Sequence, residues 1–228
     1  MCETAKQAGS EVIEAEEEAI CISSSHSLDG QFFHATFIKS GKNSLDGDYA
    51  LSLLGAHQLE NASTALTALS KLTECGFIIT KEHVEHGLRN VYWQCRFEVI
   101  SRVPLMVLDS AHNVDSAEKL KKCVEDYLKG YKIILIFGSS MDKDIAGMFE
   151  ILLPGIQKMI FTKSAHPRAL EPAMLVKLVR DNPVPCEVAE NITEAIQIAR
   201  KQADKQTAVV VAGSIFIAAA AREVILNT

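Results

Sequence analysis

An acid and a histidine stand three residues apart in the segment 107–113 (VLDSAHN). The residues from Pro104 to Leu108 form an apolar run typical of a buried strand, and a helical pattern starts a few residues later. Asp109 and His112 are therefore predicted at the carboxyl end of a strand, beside a helix N-terminus. Backbone N–H groups and the helix dipole attract anions at such positions. The segment predicts a site for an anionic, phosphate-bearing ligand.

Other polar segments follow later apolar runs in the same way. Because the carboxyl ends of parallel strands share one edge of a sheet, these segments are expected along a single rim. Lysines, hydroxyls and glycine turns on such a rim suit phosphate, although polar residues also end strands that bind nothing. The segments are 138–140 (GSS), 142–144 (DKD), 163–164 (KS) and 213–214 (GS).

The elements that would position these residues differ between two parts of the chain. Strand patterns at 19–23, 31–38 and 49–54 precede helical patterns at 57–74 and 81–88. From Phe97 to Ile225, near-continuous Val and Ile runs alternate with helical patterns, one of them at 169–180. That alternation predicts an α/β domain whose mostly parallel sheet is covered on both faces. The boundary between the parts is expected near 90–96.

Composition excludes several classes of protein. The chain has 228 residues, and 48% of them are hydrophobic, enough for a buried core. A net charge of -6 argues against a protein that coats nucleic acid. No apolar run approaches the roughly 20 residues that span a bilayer. The six cysteines form no C-x-x-C pair, so reduced thiols are expected.

Two familiar nucleotide motifs and one metal motif are also missing. The sequence contains neither G-x-G-x-x-G nor the P-loop pattern G-x-x-x-x-G-K-[ST]. His83 and His86 are three residues apart on a predicted helix, but they lack a third ligand. No metal ligand is therefore predicted in this chain.

The sequence resembles the folylpolyglutamate synthase and dihydrofolate synthase family of the Mur ligase superfamily. Five short segments in the family's order carry the resemblance, which spans nearly the whole chain. They are 55–62 (GAHQLENA), 93–98 (WQCRFE), 108–113 (LDSAHN), 137–144 (FG followed by DKD) and 212–214 (AGS). The resemblance implies a Rossmann-like C-terminal glutamate ligase domain at 96–228. At 1–95 it implies the closing part of a Mur-ligase-type central α/β domain that binds ATP.

The resemblance also implies roles for individual residues. The asparagine, arginine and aspartate of the first three segments would contact ATP, and the histidine would lie towards the transferred phosphate. The candidates are the ATP contacts Asn61, Arg96 and Asp109, the catalytic His112, and the substrate contacts Ser214 and Lys143. The residue types alone also allow a simple helix amide for Asn61, a surface ion pair for Arg96 and a helix cap for Asp109.

The activity implied is ATP-dependent amide formation. A carboxylate of a folate or of dihydropteroate would take the γ-phosphate as an acyl phosphate, and the amine of L-glutamate would attack it, with Mg²⁺ accompanying ATP. The resemblance implies a cytoplasmic monomer without nucleic-acid or membrane partners, and leaves a mitochondrial or plastid location open. A catalytically inactive Rossmann-like interaction or regulatory module is the alternative.

The sequence departs from the family pattern in three places. The family's W-P-G-R reads Trp-Gln-Cys-Arg at 93–96, and its D-G-A-H-N reads Asp-Ser-Ala-His-Asn at 109–113. Strain is therefore expected at Ser110, which stands where the family has a glycine. Because the P-loop is missing, the chain is expected to be a C-terminal fragment that is inactive alone. The magnesium ligands are expected mainly in the missing N-terminal half.

Overall fold

The computed structural model describes residues 2–38, 45–180 and 182–227 of the chain. It divides into two compact units, Met1–Tyr92 and Trp93–Thr228. This division falls three residues before the domain boundary predicted at 95/96. Each unit has a hydrophobic core of its own, so each can be understood from its own sequence pattern.

The first unit is built on an antiparallel sheet in the order β1-β2-β3. In β2, Phe33, Ala35 and Phe37 are buried while the residues between them are exposed. This is the alternation of a strand with one face on a core, and helices α3 and α4 complete that core. The elements are α1 Cys2–Gln7, α2 Ala15–Glu18, β1 Ala19–Ser27, β2 Gly30–Phe37, β3 Gly47–Leu51, α3 Ala56–Glu74 and α4 Lys81–Asn90.

The turn that leads into α3 is fixed by Gln31. Its buried side-chain amide donates to the carbonyl oxygens of Leu53 at 2.7 Å and Gly55 at 3.1 Å. β3 therefore ends at Leu51, before the predicted strand end at residue 54. Gly55 has a φ of 113°, a conformation that favours glycine. This turn sets the start of the helix that carries Asn61.

The second unit contains a six-stranded sheet in the order β4-β5-β9-β6-β7-β8. β4 is antiparallel to β5 and the other neighbouring strands are parallel, so the predicted mostly parallel sheet is confirmed. The elements are β4 Glu98–Arg102, β5 Leu105–Leu108, α5 Val114–Tyr127, β6 Lys132–Phe137, α6 Ile145–Leu152, β7 Ile156–Phe161, α7 Pro172–Leu178, β8 Cys186–Val188, α8 Ile192–Gln202, β9 Thr207–Ala212 and α9 Ile215–Leu226.

Both faces of this sheet are covered, as near-continuous apolar strands require. Residues of α8 and α9 share a buried cluster with Met106, Ile134 and Val209 on one face. On the other face, the ring of Phe137 lies 4.9 Å from that of Phe149 in α6. β9, the last strand, lies between β5 and β6. The segments that follow these strands therefore meet at one rim.

The helix predicted at 169–180 is wrong at its start. Ala169 forms an isolated bridge with Ser140, and the N–H of Leu170 donates to the carbonyl of Ser139 at 2.8 Å. Proline disfavours a helical conformation in the residue before it and suits the first turn of a helix. Helix α7 accordingly starts at Pro172 and ends at Leu178.

Within the described ranges, no helix is long and apolar enough to cross a membrane. The described cysteine thiols are free, and they differ widely in exposure. They are Cys21, Cys75, Cys95, Cys123 and Cys186.

Candidate functional site

Asp109 directly follows β5, where its N–H extends the ladder to the carbonyl of Val211 at 2.9 Å. Each oxygen of its carboxylate accepts a backbone hydrogen bond. Oδ1 accepts from the N–H of Ala111 and Oδ2 from the N–H of Phe97, both at 2.8 Å. The interpretation of Asp109 as a helix cap is wrong, because Asn113 caps α5. Asp109 instead joins the end of β5 to the turn before β4.

Opposing effects act on the pKa of the Asp109 carboxyl. Burial raises the pKa of the Asp109 carboxyl to about 6, while its two backbone donors and the charges of Arg96 and His112 act to lower it. The turn that carries Arg96 and the segment that leads to His112 both reach this carboxylate, because Phe97 and Ala111 donate to its two oxygens. The structure thus brings Arg96, Asp109 and His112 together at one corner of the second unit.

Arg96 is carried by a turn with an unusual backbone. The residues on either side of it, Cys95 and Phe97, have φ values of 55° and 45°. A left-handed conformation costs about 1–2 kcal/mol for a residue with a side chain. Cys95 stands where the family pattern has its glycine, so the strain falls there. The strain expected at Ser110 is absent, because Ser110 does not have a positive φ.

The guanidinium of Arg96 is exposed and lies over an aromatic face. Its central carbon is 5.9 Å from the ring centroid of Trp93, within the range of a cation–π contact. The described contact of Arg96 is thus with a ring, rather than the surface ion pair that its residue type allows. A guanidinium that packs on a ring can still donate its N–H groups to phosphate or ribose oxygens.

His112 is exposed just before α5, and its orientation is determined by two hydrogen bonds. Its ring Nδ1 lies 2.9 Å from the carbonyl oxygen of Ser110, and its backbone N–H donates to Oγ of Ser116 at 2.9 Å. A carbonyl oxygen only accepts, so Nδ1 carries the proton. In the neutral ring Nε2 therefore has the free lone pair. His112 is thus arranged to accept a proton at Nε2.

Ser214 and Lys143 occupy the same rim. Ser214 is buried and caps α9, accepting at Oγ from the N–H of Phe216 at 3.2 Å. The preceding Gly213 donates its N–H to the carbonyl of Ala111 at 2.9 Å, which ties this turn to the Asp109 segment. Lys143 follows β6 and pairs with Asp142 at 3.2 Å. Hydrogen bonding to Lys143 lowers the pKa of the Asp142 carboxyl.

Asn61 belongs to the first unit, on the exposed side of α3. Its Nδ2 donates to Oε1 of Gln58 at 3.0 Å. It lines an open groove of about 590 Å³ between α2, β1 and α3, together with Cys21 and Ser63. Its amide is therefore accessible to a ligand on that unit.

Two features at or beside the rim are not among the residues predicted from the sequence. Arg222 donates through Nε to Glu98 at 3.0 Å, and the ring of His166 stacks on Phe216 with centroids 4.2 Å apart. Arg222 and its neighbour Glu223 interrupt an otherwise apolar helix at 215–226. That interruption was a usable signal, because a charge on a buried helix needs a partner.

The described residues form no preformed metal cage. Across 2–38, 45–180 and 182–227, no three side chains of His, Cys, Asp or Glu come together in a way that could hold a metal ion. In proteins, Mg²⁺ is usually bound by one or two carboxylates together with waters and the phosphates of a nucleotide. The described rim of the second unit therefore offers charge and hydrogen bonds, without a preformed metal cage.

Most of the second unit matches a known family of ligase domains. The family described as "Mur ligase, glutamate ligase domain" matches residues 95–215. A probable bifunctional folylpolyglutamate synthase/dihydropteroate synthase from Haloferax volcanii is 32% identical over 177 residues. The match covers 77% of this chain and 20% of that relative.

Solved structures share the fold over nearly the whole chain. Mycobacterium tuberculosis folylpolyglutamate synthase, complexed with ADP and AMPPCP, superposes with a TM-score of 0.82 at 25% identity, covering 98% of this chain and 51% of that one. The bifunctional folylpolyglutamate synthase/dihydrofolate synthase of Yersinia pestis, with Mn, AMPPNP and L-glutamate bound, gives 0.77 at 24% identity, covering 99% and 50%. At 24% identity, this second similarity is evidence for a shared fold and not for a shared function. The chain spans about half the length of these structures.

Proposed function

The chain belongs to the folylpolyglutamate and dihydrofolate synthase family of the Mur ligases, and we propose that its second unit supplies one wall of the ATP and glutamate site of such a ligase. In this proposal ATP activates a folate or dihydropteroate carboxylate as an acyl phosphate. The amine of L-glutamate then attacks, and phosphate leaves as the amide forms. The observation that carries the proposal is the corner formed by Arg96, Asp109 and His112, where backbone hydrogen bonds join the turn of Arg96 to the segment 109–111.

Each residue of the corner has a role that its chemistry supports. Arg96 donates to phosphate or ribose oxygens of the nucleotide. Asp109 uses its remaining acceptor capacity for the ribose hydroxyls, while its two backbone hydrogen bonds hold it in place. His112 takes a proton from the attacking amine at Nε2, since Nδ1 is already engaged with Ser110.

The remaining candidates are assigned to substrate and nucleotide. Lys143 and the turn at Ser214 lie on the same rim, where they would face the carboxylates of glutamate. Asn61, on the first unit, offers its amide to adenine. The description of the matched family as a glutamate ligase domain supports the choice of amino acid.

The proposal also covers what the chain needs from elsewhere. The ligands of the Mg²⁺ that accompanies ATP are proposed to lie mainly outside this chain, and the described residues form no group of three metal-ligating side chains. The sequence contains no P-loop, so the chain alone is proposed to be inactive in turnover. A cytoplasmic monomer acting on small molecules is part of the same proposal.

Glutamate-dependent release of ADP tests this function directly. The assay compares the chain alone with a ligase that joins it to a P-loop half, using a folate and then dihydropteroate as substrate. The joined form should turn over, and Arg96→Ala or Asp109→Ala should lower its kcat/KM by about 10²-fold. Full activity after both substitutions would contradict the proposed site. A joined form that folds and binds neither nucleotide nor substrate would favour the interaction module instead.

A further inference from the structure

The residues on either side of Arg96 are held by two different carboxylates. Oε2 of Glu98 accepts the N–H of Cys95 at 2.8 Å, and Oδ2 of Asp109 accepts the N–H of Phe97 at 2.8 Å. The N–H of Ser110 donates to the carbonyl of Cys95, also at 2.8 Å. The backbone around Arg96 is thus fixed on both sides.

Glu98 is itself fixed by a residue far along the chain. Its side chain is only 9% exposed, and Nε of Arg222 donates to its Oε1 at 3.0 Å and its Oε2 at 3.2 Å. Arg222 lies on α9, next to Ala221 in the buried cluster of that helix. A continuous series of contacts therefore runs from α9 through Glu98 to the turn.

The turn needs such contacts because its backbone is strained. Cys95 and Phe97 both have the left-handed conformation, and residues with side chains keep it only where the surroundings enforce it. The ring of Phe97 is buried and lies 5.7 Å from that of Tyr127, which fixes one end of the turn by packing. The other end depends on the hydrogen bonds of Cys95.

We propose that Glu98, anchored by Arg222, is a positioning residue that holds Arg96 for the nucleotide. The inference rests on the proposed function for the role of Arg96. Without the Glu98 carboxylate, the Cys95 N–H loses its acceptor and the turn relaxes out of the left-handed conformation. The guanidinium of Arg96 then leaves its place over Trp93, and nucleotide binding has to restrict it again.

The test uses the 228-residue chain, ADP as the probe and two readouts. Trp93 is the only tryptophan of the sequence, so its fluorescence anisotropy and acrylamide quenching report on the turn without nucleotide. ADP affinity is measured by titration calorimetry. The variants are Glu98→Ala, Glu98→Gln, Arg222→Met and Arg96→Ala. Glu187→Ala is the matched control, because Glu187 is also an edge-strand glutamate paired with a cation, Lys158, and it lies on the opposite edge of the sheet.

If Glu98 positions Arg96, the variants should differ in a defined way in their Trp93 signals and in their affinity for ADP. Glu98→Ala should lower the anisotropy of Trp93, increase its quenching and weaken ADP binding about five- to tenfold, as loss of a preorganised charged contact does. Arg222→Met and Glu98→Gln should give smaller effects in the same direction, and Glu187→Ala should give none. Glu98→Ala combined with Arg96→Ala should bind ADP no more weakly than Arg96→Ala alone.

The two readouts separate the inference from the function on which it rests. Unchanged Trp93 signals in folded Glu98→Ala, Glu98→Gln and Arg222→Met would overturn the positioning role. Additive losses of affinity in the double variant would overturn it as well. If Glu98→Ala changes the Trp93 signals but Arg96→Ala leaves ADP affinity unchanged, the turn is held as inferred and the proposed role of Arg96 is wrong.

Discussion

Oδ2 of Asp109 accepts the N–H of Phe97 at 2.8 Å, so the acid predicted to hold nucleotide also shapes the turn that carries Arg96. One side chain therefore serves both the backbone and the proposed ligand. Substitution of Asp109 will report on both roles, and its effects on stability have to be measured beside its effects on activity.

Asp109 gives the stability of the protein a recognisable pH dependence. Burial raises its pKa to about 6 in the folded chain, above the value near 3.9 of an unfolded aspartate. The folded state thus binds the proton more tightly, and this group lowers the free energy of unfolding as the pH rises from about 4 to above 6. Asp109→Asn should remove that decline, measured by urea unfolding between pH 4 and 7.

A second aspartate supplies the control with the opposite sign. Hydrogen bonds from the Thr207 side chain and the Gln206 backbone lower the pKa of the Asp204 carboxyl. This group therefore stabilises the fold above its unfolded pKa and loses that contribution as the pH falls. If Asp109→Asn and Asp204→Asn changed the pH profile in the same direction, the assignment of the Asp109 pKa would be wrong.

The strain at Cys95 predicts an unusual response to glycine. Cys95 and Cys123 are both buried, but Cys95 has a φ of 55° whereas Cys123 lies inside helix α5. Glycine relieves the first conformation and weakens the second. Cys95→Gly should therefore destabilise the chain by about 2 kcal/mol less than Cys123→Gly, measured by chemical unfolding. Equal losses would show that the left-handed turn stores no strain.

The cap of α5 should couple helix stability to His112. Asn113 accepts the N–H of Ser116, whose hydroxyl accepts the N–H of His112 at 2.9 Å. Asn113→Ala should cost about 1 kcal/mol of stability and shift the imidazole resonances of His112. Asn191→Ala, at the corresponding cap of α8, should cost a similar amount and leave those resonances in place. A shift in both variants would mean that His112 senses general loosening of the unit.

Much of the fold could be predicted from the sequence because hydrophobic burial dominates it. The apolar runs of β5, β6 and β9 are buried on both faces, and they require a parallel sheet with helices on both sides. The start of α7 differs from the prediction because the helical pattern at 169–180 extends past Pro172, where the helix begins. At that position the conformational preference imposed by proline, and not the periodic pattern of apolar residues, determines where the helix starts.

The candidate site was less predictable because its contacts are mostly backbone contacts. Nothing in the residue types shows that both oxygens of Asp109 are engaged by N–H groups. The partnership of Glu98 and Arg222 joins residues 124 positions apart, and only the packing of α9 on the sheet brings them together. The strain expected at Ser110 is found at Cys95 instead, because only Cys95 of these two residues has a left-handed backbone conformation.

The most direct measurement is a titration of the ¹⁵N-labelled chain with ADP, followed by the backbone amide resonances. The proposed site predicts that the largest shifts fall on residues 95–97 and 109–113, and that Arg96→Ala weakens the binding that they report about tenfold. Shifts that spare both segments and fall instead around the cavity at the opposite end of the sheet, lined by Pro104, Tyr131 and Lys205, would contradict it.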